Sequence, residues 1–491
     1  MSARRTTSFV SLCALMLNLI GCAGIPPKLA PPELRDAAPL AGLPVPAGGA
    51  WPDPEWWKRY HDPQLDALIA RALQTSPSLA QAQARVALAE QQIAGKRAAG
   101  APYVASSASV SRQRISENGL FPAKLLGFTW YTQGDIGAQF QYDFDWWGKQ
   151  RALVNAAVDQ ARAASADRSA AYLVLTTSVA DTYFGWLADQ ARLALGRRLI
   201  AGLLQQQRLL QARARQGLDS GDPVSNAIVD LQTAQQQVSV VEGSAQLRNA
   251  NLAALLGVAP AQLPPLSSRA LPQVGAYLPN DAGIGLIGRR PDIAATRWRV
   301  EAASQQVAEA RAEFYPDINI KAMIGLSSID LGKLFSPASR VASLAPAISL
   351  PLFDGGRRKA AYGATRAQLD LAIADYDAAV VAAARDVATQ ALALQQLEQQ
   401  RKQQAAEIAA VRQLQRTAAA RVKQGVADDR TLLAVQVRLL REHDAGLQLD
   451  ARTLSTQAGL IKALGGGYGS APANDTPRVS DPNASDGTHS P

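Results

Sequence analysis

Residues 77–102 read PSLAQAQARVALAEQQIAGKRAAGAP, and residues 291–316 read PDIAATRWRVEAASQQVAEARAEFYP. Laid over one another at an offset of 214, they agree at 11 of 26 positions, among them Pro77/Pro291, Arg85/Arg299, Gln91/Gln305, Arg97/Arg311 and Pro102/Pro316. An Ala- and Gln-rich composition produces chance matches of those two residues, but not the proline and arginine landmarks. The chain is an internal duplication, and its fold must be read as two copies of one unit. Further on the offset falls to 207 or 208, with Gly148 matching Gly355 or Gly356 and Gly217 matching Gly425. The difference belongs to a shorter loop between Pro102 and Gly148.

Each half has the order helix, two strands, long helix, second helix. Strands are expected around 102–116, 130–145, 316–330 and 339–353. Ile136, Ala138, Phe140, Tyr142 and Phe144 alternate with Asp135, Gly137, Gln139, Gln141, Asp143 and Asp145. Ile318, Ile320, Ala322, Ile324 and Leu326 repeat the pattern beside Asn319, Lys321 and Met323. Period-two alternation gives each strand one face suited to oil and one suited to water. Helices are expected at about 147–216, 222–257, 356–424 and 429–464. The two longest lack proline, and seventy helical residues extend roughly 105 Å, a rod with no place in a compact globule. Ala360, Ala364, Ala367, Leu371, Ala374, Ala378 and Val381 recur with 4-3 spacing, a seam of small residues along which helices pack closely.

Four such strands cannot close a barrel, and an open sheet edge in hydrocarbon costs several kcal/mol per unpaired backbone group. If this sheet is in a membrane, other copies must close it, and three copies supply twelve strands, an even number. The other reading of the same alternation is a soluble sandwich of half-buried strands. The N-terminus bears on that choice. Arg4 and Arg5 precede an apolar run from Phe9 to Ile20, and then come Leu19-Ile20-Gly21-Cys22. That is a secretory leader, residues 1–21, with a lipobox-like ending that makes Cys22 the lipidation site. An ordinary signal peptide with an incidental cysteine is the alternative. Ala23 follows Cys22, and the absence of Asp there resembles lipoproteins that are sent on to the outer membrane. Residues 22–60, rich in Pro, Gly and Ala, are expected to be a tether, and residues 466–491 a disordered tail.

Composition excludes several functions. The charge of +9 drops to about +7 once Arg4 and Arg5 leave with the leader, and the remaining charges are scattered among Gln and Ala. No dense basic run marks a nucleic-acid patch, so no nucleic acid is expected as a partner. Cys13 and Cys22 both lie at the N-terminus, and His61, His443 and His489 are far apart, so neither a disulfide framework nor a metal site is expected. No nucleophile elbow or phosphate loop occurs, so neither a cofactor nor enzymatic activity is expected.

Several motifs in order resemble the TolC-like outer-membrane factors, in the lipoprotein branch of tripartite efflux. They are Trp56-Trp57 with Asp62-Pro63 and Leu65, Tyr142-Asp143-Phe144-Asp145-Trp146-Trp147-Gly148-Lys149, and Leu255-Leu256-Gly257 with Pro260. They continue in Arg290-Pro291-Asp292-Ile293, Phe314-Tyr315-Pro316 and Pro351-Leu352-Phe353-Asp354-Gly355-Gly356-Arg357. The resemblance spans about 51–465. It implies a mainly α protein with a membrane β-barrel portion, in which repeats 61–265 and 266–465 contribute a long α-helical barrel and four strands per protomer. As a homotrimer it would form a twelve-stranded barrel in the outer membrane and a passive efflux duct across the periplasm. A periplasmic adaptor, an inner-membrane pump and outer-membrane lipid are the implied partners. Small toxic compounds or drugs are the implied cargo, with type I protein secretion the alternative within the family. A periplasmic adaptor or a coiled-coil structural lipoprotein is the alternative outside it; the two hairpins, each preceded by strands, argue against both.

The candidate site is the pair of helix–turn–helix tips. Gly217, Leu218 and Ser220 in one, and Gly425 and Val426 in the other, are the docking residues that the resemblance implies. Asp219, Asp222, Asp428 and Asp429 are candidates for an acidic periplasmic constriction, which three-fold repetition would concentrate. For Asp222 and Asp428 simple helix capping is an equal reading. Members commonly carry Asp in the segment matching Leu432-Leu433-Ala434-Val435-Gln436. Here Ala434 stands there, which leaves the gate residues open.

Overall fold

The structure, a computed structural model, describes residues 25–40, 47–116, 126–218, 220–273, 275, 278–279 and 281–469. The leader 1–21, Cys22, Asp219 and the tail from 470 lie outside the described residues. In chain order the elements are strand β1 (Ala47–Gly49), a 3-10 turn (Trp56–Tyr60), helices α1 (Pro63–Thr75) and α2 (Pro77–Ala99), and strands β2 (Tyr103–Arg114) and β3 (Trp130–Asp143). Helices α3 (Lys149–Arg215) and α4 (Asp222–Leu255), strand β4 (Leu278–Pro279) and helices α5 (Ala282–Arg289) and α6 (Pro291–Ala312) follow. Strands β5 (Asp317–Ser328) and β6 (Arg340–Ser349) and helices α7 (Arg357–Lys423) and α8 (Asp429–Ala463) complete the chain. The α2–β2–β3–α3–α4 run and the α6–β5–β6–α7–α8 run are the two copies of the duplicated unit.

One compact unit comprises residues 86–164 and 296–376 with the N-terminal stretch. Its four-stranded antiparallel sheet has the order β2-β3-β5-β6. The registers Val104↔Phe140, Phe140↔Ala322 and Ala322↔Leu344 line up even-numbered residues on one face, and Ala105↔Gln139, Gln139↔Met323 and Met323↔Ser343 line up the odd-numbered on the other. The even face carries Val104, Ile136, Phe140, Tyr142, Ile318, Ile320, Ile324, Leu344 and Ile348. The odd face carries Gln139, Gln141, Asp143, Asn319 and Lys321. Period-two patterning has become a two-faced sheet, and Val104, Ile324, Leu344 and Ile348 are 65–74% exposed on it. That is an unusual amount of apolar surface for a protein face in water. At the seam between repeats Gly137 pairs with Gly325. A Cβ on Gly325 would meet the Gly137 Cα at 2.8 Å, so the strands approach through glycine.

Where strands give way to helices, Asp145 accepts from the backbone N–H of Gln150 and Arg151, both at 2.9 Å, and so caps α3. Asp354 caps α7 through the N–H of Gly356 (3.1 Å) and Arg358 (3.2 Å), and a hydrogen bond from Arg358 holds its carboxyl below the usual carboxylate range. Trp147 stacks on Tyr315 at 4.6 Å and donates its indole N–H to the Pro316 carbonyl at 2.8 Å.

The other unit comprises residues 35–85, 165–295 and 377 onward. Its core packs Leu65 and Ile69 of α1 with Tyr183, Phe184 and Leu187 of α3, and Leu252 and Leu256 at the end of α4. Each such fully buried side chain contributes about 1.5–3 kcal/mol relative to exposure. The aromatic pair Trp56 and Trp57 is 2% and 4% exposed within this core. Asp62 caps α1 through the Gln64 N–H (2.9 Å), while Tyr183 Oη donates to it at 2.8 Å and Arg269 Nη1 at 2.9 Å. Burial, with Asp62 as acceptor, pushes the Tyr183 phenol well above its ordinary value.

Three expectations change. The tether read over 22–60 ends in packed structure: Trp51 donates to Asp281 Oδ1 at 2.8 Å beneath Arg289, and Trp56–Tyr60 is core. At the other end Gly465, Gly466 and Gly467 adopt φ of 90°, 55° and 85° in a turn that lets the backbone lie against Arg289 and Asp53 where a Cβ would clash, so the packed chain continues past 465. The small-residue seam of α7 faces outward, with Leu371 61% and Val381 45% exposed, while Leu369, Tyr376, Val380, Ala383 and Val387 are buried. A helix flanked on both sides carries two seams, and the chain's own helices fill one of them.

Candidate functional site

Helices α3 and α7 end in the same backbone motif. Gly217 has φ 70°, its N–H bonds the Ala214 carbonyl at 3.0 Å, and the Leu218 N–H reaches the Arg213 carbonyl at 3.0 Å. Gly425 has φ 72°, bonding Val422 at 3.0 Å, with Val426 bonding Arg421 at 2.9 Å. This is the Schellman closure, in which a left-handed residue turns the chain back over the last carbonyls. Any side chain at that φ costs about 1–2 kcal/mol, which is why glycine stands at both places. Gly257 and Gly465 close α4 and α8 in the same way. The turns leave large apolar side chains in water, with Leu218 60% and Val426 72% exposed. Ser220 is exposed beside the first.

The acidic residues divide by role. Asp428 caps α8, accepting from the Thr431 N–H at 3.2 Å, and pairs with Arg430 at 3.4 Å. Asp429 and Asp222 occupy the first turns of α8 and α4, where the helix dipole favours a negative charge. Each of these three carboxylates stands at the start of its own helix. Ala434 is exposed on α8, the residue after buried Leu433.

Above the tips the structure joins side chains that no local pattern announces. Arg192 on α3 grips Asp444 on α8 through Nε (2.8 Å) and Nη2 (3.3 Å), and Gln448 donates to the same carboxylate at 2.7 Å. Arg441 on α8 lies 3.5 Å from Asp230 on α4. These bonds pin the two hairpins together beside a small core of Leu203, Leu231, Ala234 and Val437. The partners are 252 and 211 residues apart in the chain, and their only sequence signal was scattered charge within helical stretches. Among the described residues no group of His, Cys, Asp and Glu is arranged to hold a metal ion, and no helix is long and apolar enough to cross a membrane.

Comparison with known proteins places this architecture. The description "Outer membrane efflux protein" matches residues 68–258 and 285–466, one stretch in each repeat. The chain is similar to the multidrug resistance outer membrane protein MdtP of Escherichia coli K12, at 35% identity over 483 residues, covering 95% of this chain and 98% of that protein. It is also similar to MdtQ of Escherichia coli O157:H7, at 33% identity over 471 residues covering 92% and 97%. Among solved structures, the outer membrane protein VceC of Vibrio cholerae superposes with a TM-score of 0.77 at 33% identity, over 85% of this chain and all of that one. The duplicated helix–strand unit, the two-faced sheet and these matches agree, and the chain belongs to the outer membrane efflux protein family, as a protein of the bacterial outer membrane.

Proposed function

We propose that the protein is the passive, trimeric exit duct of a tripartite drug-efflux system, anchored by lipid at Cys22, in which Gly217, Leu218, Ser220, Gly425 and Val426 receive a periplasmic adaptor that links it to an inner-membrane pump. The observation that carries this reading is the four-stranded sheet, apolar on one face, polar on the other and open at β2 and β6. Within the chain, the second strand of the first repeat (β3) pairs with the first strand of the second (β5). The same pairing repeated between chains sets β6 against β2 of the next copy, and three copies close twelve strands with no edge left in lipid. The outward seam of α7 supports side-by-side packing of copies. Small compounds as cargo is favoured by the relatives named for multidrug resistance.

Deletion followed by a susceptibility panel tests the function. Loss of the protein lowers resistance to amphipathic drugs, and wild-type sequence restores it; unchanged susceptibility with its partner pump expressed rejects drug efflux. Gly217→Val with Gly425→Val, which strains both closures, is expected to abolish complementation while trimer yield in the outer membrane holds. Cys22→Ser is expected to remove the acyl chains, read as a mass loss on the intact protein. For the constriction, replacing Asp219, Asp222, Asp428 and Asp429 together by alanine is expected to reduce cation selectivity in planar bilayers. Unchanged conductance and selectivity would remove those residues from the gate. Arg192→Ala unpins α3 from α8 and is expected to raise conductance.

A further inference from the structure

The apolar face of the sheet is charged at one end only. At the end joined to the helices, Tyr142 pairs with Ile320 and Ile320 with Pro346, Ile318 pairs with Ile348, and Val104 lies nearby, with no ionic side chain on this face. At the hairpin-turn end the same even-numbered rows run through Arg112 and Arg114 of β2 and Arg340 of β6. All three are exposed. Arg112 lies 5.7 Å from the ring centre of Trp130, itself 54% exposed on that face. The loop after β5 folds onto this end as well: a Cβ on Gly134 would meet Leu331 Cδ2 at 2.7 Å and Leu334 Cδ2 at 3.3 Å. That loop carries Lys333, 77% exposed and 3.4 Å from Asp330. A cation on the bilayer face of a barrel is costly at mid-depth and nearly free at the rim, where anionic headgroups meet it.

The repeat shows how these arginines meet. Ile136 of β3 pairs with Leu326 of β5, and Gly134 with Ser328. Moving the β3 partner forward by 208 residues, which keeps it on the same face, and the β5 partner back by 214 sets Leu344 beside Arg112, and Ala342 beside Arg114, of the neighbouring copy. Arg340 then lies one step beyond, on the same face. With strands about 4.8 Å apart and same-face residues about 6.7 Å apart, Arg340 is rooted about 8 Å from Arg114 and about 14 Å from Arg112 at each seam. Three such cations within that span exceed one phosphate.

We propose that each seam between copies binds a glycolipid of the outer leaflet bearing more than one phosphate, with Arg112 and Arg114 of one copy and Arg340 of the next on its phosphates and Trp130 against its acyl and sugar portion. The arginine fork matches phosphate in a bidentate manner. The proposal rests on the trimeric reading above. Its test uses the purified full-length protein in phospholipid nanodiscs containing bisphosphorylated lipid A, or the same lipid with both phosphates removed, with bound lipid counted by native mass spectrometry. Retention is expected to be at least about tenfold greater for the phosphorylated lipid, since a single hydrogen bond to a charged group accounts for that factor. R112Q/R114Q/R340Q is expected to lower retention to the phosphate-free level, and the corresponding triple lysine variant to restore part of it. Should the triple variant not assemble, R340Q alone gives the comparison. Equal retention of the two lipids, equal retention by the Gln variants, or displacement by equimolar phosphatidylglycerol overturns the site. The same spectra report stoichiometry: a species other than a trimer overturns the duct reading, whereas a trimer without lipid A overturns only this site.

Discussion

Replacing Arg290 by alanine is expected to destabilise the protein by about 1.5–3 kcal/mol, the cost of losing a buried guanidinium's hydrogen bonds to a charged partner and to a helix-end carbonyl. Arg290 is 8% exposed and holds three things at once. Its Nη1 donates to the Ala463 carbonyl at the end of α8 (2.9 Å), and its Nε and Nη2 fork onto Asp292 in the first turn of α6 (3.0 and 2.6 Å). The Asp386 carboxylate on α7 lies 3.6 Å away. A single side chain thus ties the start of one helix to the end of another, and the Pro291 that follows begins α6. Burial acts upward on the Asp292 carboxyl, but Arg290 outweighs it and holds the group below its ordinary value. A depressed carboxyl adds stability above its unfolded pKa and loses it as pH falls through the folded one. The gap between wild type and R290A is therefore expected to be full at neutral pH and to narrow in acid. Thermal unfolding in detergent across pH checks both; an R290A midpoint equal to wild type at pH 7 would show the clamp to be dispensable.

The second large effect is expected at the repeat seam. Gly325→Ala places a methyl against the Ile136 carbonyl oxygen and 2.8 Å from the Gly137 Cα, while Gly137→Ala meets the Ile324 carbonyl oxygen at 3.0 Å and the Gly325 Cα at 3.4 Å. Backbone cannot yield as a side-chain tip does, so the first substitution must part β3 from β5, whereas the second asks for a few tenths of an ångström. G325A is expected to cost at least the 1–3 kcal/mol typical of overpacking and to cut the yield of folded protein in the outer membrane severalfold, with G137A near wild type. Equal yields of the two variants would mean that the seam opens without cost. The asymmetry is the useful part, because the residues are chemically identical and paired with each other.

The efflux-family motifs proved to be architectural when placed in three dimensions. Trp56-Trp57 fills the core, Asp62 caps a helix while bonding Tyr183 and Arg269, Gly257 closes α4, Arg290 clamps three helices, and Asp354 caps α7. Such roles are legible in sequence because they are local: a cap, a closure or an alternation needs only neighbours within a few residues. The tips were legible for the same reason, through Gly217 and Gly425. The resemblance implies docking there, and among the described residues Asp222, Asp428 and Asp429 sit at the starts of their own helices.

What sequence by itself determined was everything with a short period or an exact copy. The duplication, the two-faced strands, the long helices and their glycine ends all follow from spacing along the chain. Tertiary structure alone decided which seam of α7 is buried, where the tether becomes core, and which charges meet. The 4-3 stripe from Ala360 to Val381 and the buried stripe through Leu369, Tyr376 and Val380 have nearly the same period, and only neighbouring helices choose between them. Arg192 with Asp444, and the arginines that share one rim of the sheet, are brought together by register across hundreds of residues. A charge in an alternating or helical run carries its own address but not its partner's, because the partner is chosen by the packing of elements that the run does not contain.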